Sequence, residues 1–184
     1  SQEIGMQFVS DRNELGYLWS GGQWWWNSGL VAEPDVWSHV AMTVDSNGAT
    51  VYVNGYSATN TAPLPPVPLS SLTFKLGTYH YWSSRNFNGL IDEVALYSRK
   101  LTASEIREMM HSTRVRSEKE LLGYYQFNET TGSTLYEKVS ARDGRLEAGA
   151  TRAPSHILVG PGTAQSLTTS SAGDHVVFPN LNVD

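Results

Sequence analysis

WSHVAMTVDSNGATVYVNG, residues 37–55, is the stretch that decides the fold of this chain. Apolar and polar residues alternate over residues 37–44 and again over 49–53, which is the period of a strand with one buried face. The Asp-Ser-Asn-Gly between them suits a tight turn. Asn54-Gly55 then supplies the positive φ angles of a second turn. The stretch therefore predicts an antiparallel hairpin that continues into a third strand at residues 56–59.

Short strand patterns on both sides of this hairpin extend the same architecture. Ser20-Gly21-Gly22 reads as the turn of another hairpin, and the proline-rich residues 62–68 predict a surface connection, because proline cannot join a central ladder. The only convincing helix follows Thr102, which forms a capping box with Glu105. The further predicted strands are 5–9, 14–19, 23–26, 71–77, 87–98, 121–127 and 175–178. Many strands and one late helix predict an all-β antiparallel sandwich rather than alternating strands and helices.

Composition excludes several classes of function. The formal net charge is −5, and the basic residues between 107 and 119 are interrupted by glutamates. Nucleic-acid binding needs clustered Lys and Arg, so we expect no nucleic-acid partner. The chain has no cysteine, which excludes disulfides, thiolate metal sites and cysteine nucleophiles. No apolar run approaches the ~18 residues of a membrane-spanning helix, so we expect no membrane insertion.

Three motifs resemble a known family. Residues 37–44 (WSHVAMTV), 51–55 (VYVNG) and 87–102 (FNGLIDEVALYSRKLT) occur in the order and spacing found in laminin-G-like domains. These domains belong to the concanavalin A-like lectin/glucanase fold, and the resemblance covers roughly residues 1–112. It implies an antiparallel jelly-roll β-sandwich. It also implies a secreted or cell-surface protein of the kind found in Bacteroidetes-type bacteria.

A second resemblance lies further along the chain. Residues 122–132 (LGYYQFNETTG), followed by Asp143-Gly144, are similar to the opening of a laminin-G-like domain, whereas the family's early strands are absent before Ser1. We predict a laminin-G-like sandwich over 1–115, a linker over 116–120, and a β-rich segment over 121–184. This last segment is either the start of a further laminin-G-like unit or an appended β-module. Either residues 121–184 supply the missing front strands, or the chain has lost its start. The opening SQEIGMQF, which reads as mid-strand, favours the second alternative and a larger parent protein.

Exposed aromatic residues are the candidate binding surface. Three adjacent tryptophans on a strand cannot share a face, so either Trp25 or the pair Trp24 and Trp26 should point outward. Outward indole rings stack well on sugar rings and on protein partners, although packing against neighbouring strands would also explain them. A second aromatic group lies in the loop after residue 77. The predicted ligand-binding residues are Tyr17, Trp19, Trp24, Trp26, Tyr79, Tyr81, Trp82 and Arg85.

Metal-binding and catalytic patterns are weaker. Fold relatives bind Ca²⁺ through carboxylate, amide and backbone oxygens at a sandwich rim, which makes Asp45, Asn54, Asp92 and Asp174 the candidate ligands of a Ca²⁺ ion. No other cofactor is indicated. Glucanases of this fold carry an E-x-D-x-E strand motif, which this sequence lacks. Asp92 and Glu93 are adjacent, and on a strand they would project to opposite faces.

These patterns together predict a non-catalytic extracellular module for binding or adhesion. Its expected partner is a carbohydrate or glycoprotein, recognised through the exposed aromatic residues. The alternative is a structural spacer, or an accessory domain of a larger secreted protein or glycoside hydrolase. In both cases we expect contacts with neighbouring domains of a longer chain.

Overall fold

The structure is a computed structural model that describes residues 4–9, 12–67, 74–79, 86–111 and 120–154, and the backbone of the strands at 165–169 and 175–178. Almost all of its regular structure is antiparallel β, as the sequence predicts. In chain order the elements are β1 (Ile4–Val9), β2 (Glu14–Trp19), β3 (Trp26–Val31), β4 (Val40–Asp45), β5 (Gly48–Val53), β6 (Tyr56–Asn60), β7 (Phe74–Leu76), β8 (Gly89–Ile91), β9 (Val94–Tyr97), α1 (Ala103–Met109), β10 (Leu121–Tyr125), β11 (Thr134–Leu135), β12 (Gly144–Glu147), β13 (Thr151–Pro154), β14 (Gln165–Thr169) and β15 (His175–Phe178).

The elements fall into two compact units. Unit 1 comprises residues 1–68 and 99–112, and unit 2 comprises residues 69–98 and 113–184. The predicted linker at residues 116–120 lies, except for Glu120, outside the described residues, and the predicted division into 1–115 and 121–184 stays a prediction. Strand pairs connect the two parts of unit 2. β10, β14 and β15 from the C-terminal segment pair with β9, β8 and β7, which precede that predicted linker.

Unit 1 contains two three-stranded sheets, β1-β2-β3 and β4-β5-β6. The middle strands, β2 and β5, are buried along their whole length. Alternate residues of these two strands form a shared core, because successive side chains of a strand point to opposite faces. The buried members of this core are Leu15, Tyr17, Trp19, Ala49, Val51, Val53 and Leu64.

The predicted helix forms with the predicted cap. Thr102 accepts a hydrogen bond from the backbone N–H of Glu105, and the Glu105 carboxylate accepts one from the backbone N–H of Thr102. Arg99 also pairs with Glu105, so several donors surround this carboxylate. These contacts lower the pKa of Glu105 to about 2, and the guanidinium of Arg99 makes the largest contribution. Helix α1 is thus fixed at its first turn.

Unit 2 contains three sheets with the strand orders β10-β9, β11-β12-β15-β7 and β13-β14-β8. Its buried core residues are Tyr125, Phe127, Leu135 and Ala150. A buried carboxylate, that of Glu137, ties the loop after β11 to β10. One of its oxygens accepts the backbone N–H groups of Tyr124 (2.7 Å) and Val139 (2.8 Å), and the other accepts the N–H and hydroxyl of Ser140. Burial raises the pKa of Glu137, but these hydrogen bonds outweigh burial and lower it overall.

Two predicted strands differ from the observed ones. The long strand expected over 87–98 is broken into β8 and β9 at Asp92 and Glu93, because Glu93 takes a left-handed backbone conformation with φ 52°. The strand expected over 23–26 is also absent. The ladder instead resumes at Trp26 and runs to Val31.

Candidate binding site on the β2–β3 hairpin

The turn between β2 and β3 is closed by backbone hydrogen bonds. The N–H of Trp19 donates to the carbonyl of Gln23 at 2.6 Å, and the N–H of Gly22 donates to the carbonyl of Trp19 at 3.1 Å. Gly21 occupies a φ of +78°, which glycine adopts without steric cost. The Ser-Gly-Gly sequence therefore forms the predicted turn.

The tip of this hairpin lies against the proline-rich segment 63–67. The indole Nε1 of Trp19 donates to the carbonyl of Pro65 at 2.8 Å. A Cβ atom on Gly22 would come within 2.9 Å of the Pro65 ring, so the two segments are in close contact. Leu64 is buried beside them. The predicted surface connection thus also supports the hairpin.

Tyr17 and Trp19 are core residues in the structure. Tyr17 has no exposed surface, and Trp19 is only 9% exposed. Trp26 packs on Tyr17, with ring centroids 5.3 Å apart and planes inclined by 48°. A surface ligand cannot reach Tyr17, so this result corrects its inclusion among the binding residues. Trp19 is likewise a core residue rather than a binding residue, because its indole N–H already donates to the carbonyl of Pro65. Trp26, half-buried, links the core to the tip.

Trp24 and Trp25 form an exposed aromatic tip. Trp24 is 50% exposed and Trp25 is 47% exposed. Neither lies in a strand, and Trp25 has a left-handed backbone with φ 58°. The expectation that Trp25 alternates with Trp24 across a strand is therefore wrong, because strand geometry begins only at Trp26. A bulky residue rarely adopts this backbone conformation, and such conformations cluster at functional sites.

Two carboxamides lie next to the aromatic tip. Gln23 donates from Nε2 to the carbonyl of Trp24 at 3.1 Å, and its Oε1 accepts from Nδ2 of Asn60 at 3.2 Å. Asn60 in turn accepts the backbone N–H of Ala62 through Oδ1 at 3.0 Å. These hydrogen bonds connect the residue that precedes Trp24 to the end of β6, so a carboxamide lies next to the exposed tip along the chain.

The remaining predicted aromatic residues belong to unit 2. Tyr79 follows β7 and is half-buried, and its carbonyl accepts a hydrogen bond from the Thr78 hydroxyl. Tyr81, Trp82 and Arg85 lie outside the described residues. Their role as ligand contacts stays a prediction.

Two of the calcium candidates, Asp45 and Asn54, lie far apart within unit 1. Asp45 ends β4 and Asn54 follows β5, so they lie at opposite ends of this strand pair, roughly 20 Å apart at the rise of a strand. The carboxylate of Asp45 binds Lys100 Nζ at 2.7 Å and the N–H of Asn47, while Asn54 Oδ1 accepts the N–H of His39. Among the described residues, no three His, Cys, Asp or Glu side chains are grouped as metal ligands would be. Asp174 lies outside the described ranges.

Asp92 and Glu93 occupy the break between β8 and β9. Asp92 Oδ1 accepts the N–H of Glu93 at 3.0 Å, and the Glu93 carboxylate accepts a hydrogen bond from the hydroxyl of Tyr124. Burial raises the pKa of Glu93, and burial together with Glu93 raises the pKa of Tyr124. The expectation of opposite faces assumed a continuous strand, and it fails because the strand is interrupted here. The observed contacts join β9 to β10.

Sequence reasoning missed three contributors to the hairpin site. The sequence pattern predicts a strand at Gln23 and an alternation of Trp25 with its neighbours, whereas neither residue lies in a strand. Asn60 lies 37 residues from Gln23, and no local pattern connects them. The run of three tryptophans next to glycines was the signal that located the site.

Comparison with known proteins shows the superfamily to which this fold belongs. A laminin G family model, described as the concanavalin A-like lectin/glucanases superfamily, matches residues 1–107. The chain belongs to this superfamily. Its antiparallel sheets and the short helix α1 agree with the superfamily's β-sandwich, which confirms the predicted fold class and resemblance. No curated protein and no solved structure matches the chain.

Laminin G-like domains of this superfamily are generally non-catalytic. They often bind carbohydrate or serve as spacers. In the part of this laminin G-like chain that the structure describes, no helix is long and apolar enough to cross a membrane. Carbohydrate recognition and spacing are therefore common roles of domains in this family.

Proposed function

We propose that this laminin G-like domain is a non-catalytic binding module that recognises carbohydrate, free or on a glycoprotein, through Trp24 and Trp25. The observation that carries the proposal is the pair of half-exposed indoles at the β2–β3 tip. An indole face packs well against the C–H face of a sugar ring, and tryptophan is among the residues that dominate binding energy at interfaces.

The contacts that hold the tip in position favour a role in ligand recognition over chance exposure of its indoles. Trp19 binds Pro65, Trp26 packs on Tyr17, and Gln23 binds Asn60. These contacts fix the hairpin before a ligand arrives, and a preorganised surface loses less entropy on binding. The neighbouring carboxamides provide donors and acceptors for sugar hydroxyl groups.

A non-catalytic role agrees with the state of the adjacent acids. Asp92 and Glu93 are engaged with the backbone and with Tyr124, where they join two strands. Glycosidases instead use two carboxyl groups that face each other across a cleft. We place the domain in a secreted or cell-surface protein of a bacterium, where it would hold its parent chain to a glycan-bearing surface.

Glycan-array screening followed by calorimetry tests the proposal. Trp24→Ala and Trp25→Ala should each weaken glycan binding at least tenfold, because each removes one stacking face. Trp37→Ala is the matched control. It removes an exposed tryptophan, 38% exposed, that follows the far end of β3. Binding by this control should equal that of the wild type.

Two results would overturn the proposal. Glycan binding that survives both tip substitutions would place the site elsewhere on the domain. An absence of binding to every array glycan, with the protein folded, would favour the spacer or accessory-domain role.

A further inference from the structure

The hairpin site is built from two uncharged stretches of sequence. Residues 15–32 and 46–67 contain no Asp, Glu, Lys, Arg or His, although 17% of the whole chain is charged. The first stretch provides most of β2, the aromatic tip and β3. The second provides β5, β6 and the proline-rich segment 63–67.

The fold brings these two stretches together. β3 packs against β5 and β6, and the tip contacts segment 63–67 through the Trp19–Pro65 hydrogen bond. The Gln23–Asn60 hydrogen bond makes a further connection. β1, which pairs with β2 on its other side, is also uncharged. Strands β1, β3, β5 and β6 therefore contribute dipoles and apolar surface, and the charged residue at the end of β4, Asp45, is paired with Lys100.

The one charged residue in strands β1, β2, β3, β5 and β6 is Glu14. It pairs with Val31, at the end of the hairpin away from the tip, roughly 17 Å from Trp19 at the rise of a strand. Its carboxylate accepts the N–H of Gly29 at 2.6 Å and contacts Arg12. Glu14 therefore fastens the far end of the hairpin.

We propose that the Trp24–Trp25 tip selects neutral saccharides and discriminates against sulfated or uronic acid-containing chains. This inference rests on the proposed function. A sulfate or carboxylate that approached the tip would lose hydration, and neither uncharged stretch supplies a cation to replace it. Neutral hydroxyl groups need only the donors and acceptors that carboxamides and backbone provide.

The salt dependence of binding follows from the same feature. Binding that depends on charge pairs weakens as ionic strength rises, because mobile ions screen the pairs. A tip without charges should bind a neutral saccharide equally well at low and high salt. The dissociation constant should change by less than about twofold between 0.05 and 0.5 M NaCl.

Affinity electrophoresis of the folded chain in matched gels tests this selectivity. One set of gels contains neutral polysaccharides (a mannan, a β-glucan and a xylan), and the other contains anionic ones (heparin, alginate and polygalacturonate). We expect retardation in at least one neutral gel, its loss in Trp24→Ala, and at least tenfold weaker retardation in every anionic gel. Trp37→Ala should run as the wild type does.

The outcomes separate this inference from the proposed function. Retardation by anionic chains that requires Trp24 and disappears in 0.5 M NaCl would overturn the selectivity and leave glycan binding in place. Retardation that is the same in wild type and Trp24→Ala, or missing from all gels, would instead overturn the proposed site itself.

Discussion

Trp19 and Trp24 lie five residues apart on one hairpin, and the structure gives them opposite roles. Trp19 is buried and its indole N–H is bound by Pro65, whereas Trp24 is half-exposed at the tip. Trp19→Phe should therefore lower the free energy of unfolding and leave glycan affinity nearly unchanged. Trp24→Ala should lower glycan affinity and leave the free energy of unfolding nearly unchanged.

The magnitude for Trp19→Phe follows from its contacts. Loss of the 2.8 Å hydrogen bond to Pro65 costs about 1 kcal/mol. Replacement of the indole by a smaller phenyl ring in a closed core leaves a small cavity and costs about 1 kcal/mol more. Together these lower the free energy of unfolding by about 2 kcal/mol, which moves a urea midpoint by about 1 M. Truncation of the exposed Trp24 should cost less than about 0.5 kcal/mol.

Urea titration measures the first effect, and calorimetry with the glycan found by array screening measures the second. Unit 1 unfolding is followed by amide signals of β2 and β5, so that unit 2 does not contribute. A Trp19→Phe protein as stable as the wild type would refute the buried, hydrogen-bonded position of this ring. A Trp24→Ala protein that loses as much stability as Trp19→Phe would refute the exposed tip.

Further predictions concern the scaffold and the ion. Glu137→Gln should lower the free energy of unfolding of unit 2 by about 2 kcal/mol at pH 7, because both carboxylate oxygens accept backbone N–H groups and an amide offers only one oxygen. The folded-state pKa of Glu137 lies below its usual value of 4.5. The difference in the free energy of unfolding between wild type and Glu137→Gln should therefore be complete above pH 4.5 and shrink as the pH falls through the folded pKa. Urea titrations at several pH values measure it. Gly48→Ala should lower the free energy of unfolding of unit 1 by more than about 3 kcal/mol in the same titration, because φ is +133° and the new Cβ would lie 2.0 Å from the Asn60 carbonyl oxygen. EDTA should leave glycan affinity in calorimetry unchanged, since the proposed tip contains indoles and amides rather than carboxylates, and a large loss would instead support the predicted calcium site.

The strand framework was predictable from local pattern. The hairpin at residues 37–55 appears as β4 and β5, and the capping box of Thr102 and Glu105 begins the helix. Alternation and turn chemistry act over a few residues, so one sequence carries these signals in full.

What the sequence could not show depends on contacts between distant residues. Nothing local indicates that β15 pairs with β7, or that Asn60 reaches Gln23. The alternation of side chains along a strand also gave a wrong prediction at Trp25 and Glu93. Both residues adopt left-handed backbone conformations, and a regular strand does not pass through them. The aromatic cluster could be located from sequence, but which rings are exposed depended on those two features of the fold.

Indole N–H signals in a ¹⁵N–¹H NMR titration test the central claim most directly. The six tryptophans give separate indole signals, and Trp19 is an internal reference because its indole is bonded to Pro65. Addition of the neutral glycan that the domain binds should shift the Trp24 and Trp25 indole signals and leave that of Trp19 in place. Binding that moves other signals and leaves those of Trp24 and Trp25 unchanged would contradict the account.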